Sequence, residues 1–193
     1  MIVFSVNFNN EKKQCLSKTD RSKKQSIDAL VKRLCAVLNR HPDYYTTSSC
    51  SGRTVLIEKQ GFAKQKARWL YVTHGSPLYG MVKKAITQPF KGELWFVYEP
   101  LILHVACSSM DAAHKLLNVV RAQGLKRSGL ITFHNRILME IIGTEHIDAI
   151  VGKNGKLLAT DDLLKELTVQ GRVRHKRNVA NIKKLMHAVQ DIS

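Results

Sequence analysis

Apolar residues recur at Ile27, Leu30, Val31, Leu34 and Leu38, the spacing of a single stripe on a helix. The stripe stops at Asn39-Arg40-His41-Pro42, where proline forbids continuation, and Ser22 or Ser26 stands where a cap is wanted. Tyr44 to Cys50 is rich in aromatic and hydroxyl side chains and reads as a strand that breaks at Ser51-Gly52, with a second strand over Thr54 to Glu58. Trp69 to Thr73 alternates as a strand, and Ser76 to Thr87 reads as a short helix with a proline near its start. Leu94 to Tyr98 and Leu101 to Cys107 are strands separated by Glu99-Pro100. Asp111 to Gln123 places Ala113, Leu116, Leu117 and Val120 on one helical face, with Gly124 just past its end as a C-terminal cap. Leu130 to Phe133 and Ile137 to Ile142 form a hairpin across His134-Asn135-Arg136, and Ile147 to Val151 is a further strand. From Thr160 the pattern is helical, with a break near Gly171.

This order is neither a strict strand–helix alternation nor all strand, so it predicts an α+β fold with one mixed sheet flanked by helices. At 193 residues the chain suits one domain, residues 1–193, with a basic segment over 1–24 and a basic helix over 172–193. A Ser-Gly pair recurs at Ser51-Gly52 and Ser128-Gly129 before a strand, an echo compatible with an internal duplication.

Composition changes the picture mainly through charge. Lys and Arg number 31 against 15 Asp and Glu, a net of +16, which points to a polyanionic partner, nucleic acid first. Hydrophobic residues at 44% argue against disorder. The four cysteines are far apart, with no C-x-x-C pair and no zinc spacing, so no metal is expected and reduced thiols suit the cytoplasm. No run approaches a membrane span, so no membrane partner is expected.

No glycine-rich dinucleotide fingerprint and no phosphate-binding loop occurs. Ser48-Ser49-Cys50-Ser51-Gly52-Arg53 gathers hydroxyls, a thiol, a glycine and a guanidinium at a strand end, a turn able to face a carboxylate or phosphate, or equally a solvated polar hairpin. Lys126-Arg127-Ser128-Gly129 has the same character. His74 and His104 are candidates for proton transfer, since imidazole titrates near neutrality, and alternation sets His104 on the face opposite Leu103 and Val105. Glu99 could accept from an amino group. Lys12 to Lys24 and Arg172 to Lys184 suit phosphate contacts, and Tyr44, Tyr45, Trp69 and Trp95 are candidates to stack on a flipped base.

Taken in order, Asp20 to Lys24, Tyr45 to Arg53, Trp69 to His74, Leu94-Trp95 with Glu99-Pro100, Leu103 to Cys107 and Gly124 to Gly129 resemble the tRNA wybutosine-synthesising protein 3 family over nearly the whole chain. Leu125 stands where an aromatic residue is common in that family, and Thr73-His74 where Ser-His is common. The resemblance implies a fold other than the Rossmann methyltransferase. It also implies transfer of a methyl group from S-adenosylmethionine to N4 of the wyosine-type base beside the anticodon of phenylalanine tRNA. On that reading His74, Glu99 and His104 orient the base or take its proton. Ser49, Ser51, Gly52, Arg53, Lys126, Arg127, Ser128 and Gly129 form a polar rim for the methionine carboxylate or for RNA phosphate. Lys23, Lys24, Tyr45, Arg174, Lys176 and Arg177 contact the anticodon loop. The alternative is a non-catalytic tRNA-binding module, which the same charge and aromatic residues would serve.

Overall fold

The computed structural model describes residues 5–17, 28–60 and 67–192. Its elements are α1 (Ser5–Leu16), α2 (Ala29–Arg40), β1 (Tyr44–Cys50), β2 (Arg53–Lys59), β3 (Ala67–Thr73), α3 (Tyr79–Ile86), β4 (Glu93–Glu99), β5 (Ile102–Cys107), α4 (Met110–Ala122), β6 (Gly129–Thr132), β7 (Ile137–Ile142), β8 (Ile147–Lys153), β9 (Lys156–Leu157) and α5 (Asp161–Ala188). They fall into two compact units, one of Met1–Ser51, Leu101–Thr144 and Val179–Ser193, the other of Gly52–Pro100 and Glu145–Asn178.

The first unit holds a four-stranded sheet in the order β1-β5-β7-β6, every pairing antiparallel. Leu103, Val105 and Cys107 of β5 alternate with outward residues and meet Ile137, Met139 and Ile141 of β7 on one face. Val31, Leu34, Cys35 and Leu38 of α2, spaced as a helical stripe, close that face together with Ala112, Ala113, Leu116 and Val120 of α4 and Ile182 and Leu185 of α5. The N-cap of α2 is Asp28; Ser22, Ser26 and Ile27 lie outside the described residues. Ser109 caps α4 by accepting from the Ala112 N–H at 3.1 Å, and the helix ends ahead of Gly124, whose φ of +87° favours glycine. Helix α1 occupies part of the stretch read as merely basic and polar. Phe8 and Cys15, seven residues apart and so on one helical face, pack against Tyr45, Ala106 and Leu138 on the second face of the sheet.

In the second unit the order is β3-β2-β4-β8-β9, again antiparallel throughout. Leu56, Leu94, Phe96 and Val151 pack under Val82 and Ala85 of α3 and Leu164 of α5. Glu58 lies on the same side, 2% exposed, and its carboxylate accepts from the N–H groups of Lys91 (2.7 Å) and Gly92 (3.1 Å), from Gln60 and from Arg68. Those donors, the Lys91 N–H foremost, hold it down at a pKa of about 2. Gly92 permits this closure, because a Cβ there would lie 2.1 Å from the Lys59 carbonyl oxygen.

The α+β class is as expected, but its strands form two antiparallel sheets instead of one mixed sheet. The links at residues 51–52 and 100–101 are two residues long, and in each case the chain leaves one sheet for the other. At these two links the strands that follow one another in sequence, β1 and β2 and then β4 and β5, are therefore not partners in pairing. Helix α5 also runs unbroken through Gly171, where a Cβ would approach Pro77 Cγ to 3.1 Å and Phe96 Cζ to 3.4 Å. The glycine lets the helix sit close to these groups, which offsets its cost of about 1 kcal/mol in helix propensity. The two Ser-Gly pairs differ locally: Gly52 has a φ of +97°, whereas Gly129 opens a strand with an ordinary φ.

Candidate functional site

Within the first unit, Ser48, His104 and Glu140 stand opposite one another on β1, β5 and β7. Their neighbours in sequence Leu103, Val105, Met139 and Ile141 point into the core, so this row lies on the other face. A register shift between Thr46 and Ser48 re-aims the end of β1 so that Ser48 joins it. Ser48 Oγ is 2.9 Å from His104 Nδ1, and His104 Nε2 is 3.0 Å from Glu140 Oε2. A carboxylate only accepts, so Nε2 carries the proton and Nδ1 accepts from the Ser48 hydroxyl. Ser48 is exposed and the other two are partly so, which leaves the chain of groups open to a ligand.

Further along the same unit, Ser51 is 2% exposed, with its N–H and hydroxyl both donating to Asp28 Oδ2 at 3.0 Å. Ser128, 1% exposed, accepts from the Ile142 N–H at 3.1 Å, and its carbonyl accepts from Arg121. Both serines therefore fix turns and do not line a rim. Lys126 and Arg127 are exposed, Ser49 is half-buried, and Gly129 pairs with Glu140 in the strand register. Tyr45 lies far from the exposed position that base stacking requires. It is fully buried, tilted against Phe8 at 5.1 Å between centroids, and its hydroxyl donates to Glu11 at 3.0 Å, so it cannot stack on a base. Tyr44 is buried too, donating to the Ala112 carbonyl. Burial pushes the Cys35 thiol up and that of Cys107 to about 12, which rules both out as nucleophiles.

Within the second unit, Arg53 opens β2 opposite Glu99 at the end of β4, and the two form an ion pair at 2.5 Å. The same guanidinium lies 4.3 Å from the centre of the Trp69 ring. Gly52 is buried beside them; a Cβ on it would meet Asn178 Nδ2 at 2.8 Å and the Glu99 carbonyl oxygen at 2.9 Å, so it is a packing glycine and offers no rim. The Gly52 carbonyl accepts from His74 Nδ1 at 3.2 Å. Gly52, Arg53, His74 and Glu99 thus gather at one end of this sheet, with the Arg53 guanidinium reaching to the ring of Trp69 further along β3. On α5, Arg174 donates to the His146 carbonyl and to Gln170, Arg177 lies 3.9 Å from Glu145, and Lys176 is exposed. Lys23 and Lys24 lie outside the described residues. Among the described residues no helix is long and apolar enough to cross a membrane.

Ser48 and Glu140 were missed in the set read from sequence. Glu140 alternates with Met139 and Ile141, so its face could be read, but its partnership with His104 needs the β5–β7 register.

Among the described residues both sheets are antiparallel, so the fold is α+β and not of the Rossmann class, and one sheet carries a hydroxyl–imidazole–carboxylate row. The family described as Methyltransferase TYW3 matches residues 10–191, and the chain belongs to that family. The tRNA(Phe) 7-((3-amino-3-carboxypropyl)-4-demethylwyosine(37)-N(4))-methyltransferase 1 of Pyrococcus abyssi is 31% identical over 98% of this chain and 99% of its own. The tRNA wybutosine-synthesizing protein 3 homolog of Bos taurus is 31% identical over 96% of this chain and 74% of its own. Among solved structures, the PH1069 protein from Pyrococcus horikoshii superposes with a TM-score of 0.91 at 29% identity, covering 98% of this chain and 97% of its own.

Proposed function

We propose that this methyltransferase places a methyl group on N4 of the tricyclic wyosine-type base at position 37 of phenylalanine tRNA, the reaction named for its relative in Pyrococcus abyssi. Residues 1–193 work as one catalytic domain in the cytoplasm, and S-adenosylmethionine is the methyl donor. The accessible groups of the first unit suit such a donor: Ser49, Lys126 and Arg127 offer a hydroxyl and two cations to a carboxylate. When bound, S-adenosylmethionine supplies a methyl group on a sulfonium centre, open to in-line attack by nitrogen.

The observation that carries this reading is the row Ser48–His104–Glu140. A ring nitrogen that gains a bond to carbon gives up its proton. The Ser48 hydroxyl relays that proton to His104 Nδ1, and Glu140 stabilises the imidazolium that forms. His74 and Glu99 orient the base, His74 held by the Gly52 carbonyl and Glu99 by Arg53. Ser51, Gly52 and Ser128 act indirectly, by fixing the turns that present Ser49, Arg53, Arg127 and Gly129. Lys23, Lys24, Arg174, Lys176 and Arg177 contribute phosphate contacts.

The test is transfer of label from S-adenosylmethionine to phenylalanine tRNA carrying the unmethylated tricyclic base, with unmodified tRNA as control. Label in the first alone is the expected result. Tight binding of both tRNAs with no transfer would leave a binding module in place of the enzyme, and full activity in Arg53→Ala would remove Arg53 from the site.

A further inference from the structure

Of the four aromatic residues that the sequence offers for base stacking, the structure buries Tyr44 and Tyr45 and leaves Trp69 and Trp95 on one face of the second unit's sheet. Trp69 of β3 pairs with Ile57 of β2, Ile57 with Trp95 of β4, and Trp95 with Ile150 of β8, so four side chains form one row across four strands. This face is opposite the one that packs Leu56, Leu94 and Phe96 under helices. Trp69 is 46% exposed and Ile150 42%, and Ile57 and Trp95 are half-buried. Each indole carries a cation: Arg53 lies 4.3 Å from the Trp69 ring centre, and the Lys59 ammonium 4.4 Å from that of Trp95.

We propose that this row is a stacking platform for unpaired nucleotides of the tRNA loop that carries the target base. The inference rests on tRNA being the substrate. Two strand spacings separate the indoles by about 10 Å, a distance suited to bases splayed over a sheet and not to a paired duplex. Single-stranded RNA presents ring faces to indoles and phosphates to cations, and this face pairs the two, in a chain whose net charge is +16. The carboxylates alongside are already engaged, Glu99 with Arg53 and Glu93 with Lys153 at 3.2 Å and with the Trp95 indole N–H. Stacking is indifferent to base identity, so this platform supplies grip on the loop and leaves choice of the base to the polar groups.

The chain has only two tryptophans, so its intrinsic fluorescence reports on this row. The wild-type protein is titrated, without methyl donor, with the unmodified anticodon stem-loop of phenylalanine tRNA and with a blunt RNA duplex of equal charge. The expected result is quenching by the stem-loop and little by the duplex. Trp69→Ala and Trp95→Ala should each weaken stem-loop binding by about tenfold to a hundredfold, with the salt dependence unchanged because no phosphate contact is lost. The Trp→Phe versions should bind nearly as wild type. Equal quenching by stem-loop and duplex, or wild-type affinity in both alanine variants, would overturn the proposal. So would a dimer in sedimentation whose tryptophan emission is already shielded before RNA is added. Should an alanine variant fail to fold, the wild-type contrast between stem-loop and duplex still decides. Because no methyl transfer is measured, a failed transfer assay leaves this result readable, and normal transfer with unquenched tryptophans would sink the platform alone.

Discussion

In the first unit, the face of the sheet turned away from α2 and α4 carries Ser48, His104 and Glu140 in a hydrogen-bonded row; in the second, the face turned away from α3 carries Trp69, Ile57, Trp95 and Ile150. Both rows run across antiparallel strands in register, and both lie opposite a core of alternating aliphatic residues. Their chemistry differs. The polar row fixes three groups in a sequence along which a proton can pass, and such a row works only if every member holds its hydrogen bond. The aromatic row offers area and polarizability and tolerates variation in what it meets. The first face is also partly roofed by α1 through Phe8, while Trp69 and Ile150 stand exposed on the second. Under the two proposals, the same sheet logic serves chemistry in one unit and grip in the other.

The largest expected effect breaks the polar row. His104→Ala should lower single-turnover methyl transfer by about a thousandfold, some 4 kcal/mol of barrier, while tRNA affinity measured by filter binding stays at the wild-type value. If affinity collapsed as well, the row would belong to binding, and the contrast with the tryptophan face would be lost.

Gly92→Ala strikes the scaffold beneath the aromatic row. Its Cβ would collide with the Lys59 carbonyl, and a loss of about 3 kcal/mol in denaturant unfolding is expected. Glu58→Gln acts at the same closure, with a somewhat smaller cost of about 2–3 kcal/mol at neutral pH. The sign follows from the direction of the shift. The carboxyl of Glu58 is more acidic folded, about 2, than unfolded, so its contribution is present above the ordinary carboxylate range and is lost as pH falls toward 2. Unfolding at pH 7 and at pH 3 should therefore show the gap between wild type and variant narrowing on acidification, and a constant gap would show that charge is not its source.

The smallest effect separates the roof from the row. Phe8→Ala should cost about 2 kcal/mol locally, seen as lost hydrogen-exchange protection in α1, with β5 and β7 still protected by their own core. Loss of protection throughout the first unit would mean that α1 is part of that core.

Helix α2, helix α4 and most strands were legible, because period and caps are local properties of the chain. The outward aim of His104 was legible for the same reason, through alternation with Leu103 and Val105. The Ser-rich turn was legible as a motif, yet its members part company in three dimensions: Ser48 enters the polar row, Ser51 is consumed by Asp28, and Arg53 turns to Glu99 and Trp69. Tyr45 and Trp69 illustrate the same limit, since both are aromatic residues on strands and only packing buries one and leaves the other exposed.

Charge, helical period, turn chemistry and the ordered family motifs were thus determined by the sequence alone, since each depends on residues close along the chain or on composition. Which strands pair, and so which side chains share a row, was decided only by tertiary structure. The reason is geometric: strand register joins residues tens of positions apart, such as Ser48, His104 and Glu140, and a shift of one residue would send every one of them to the opposite face.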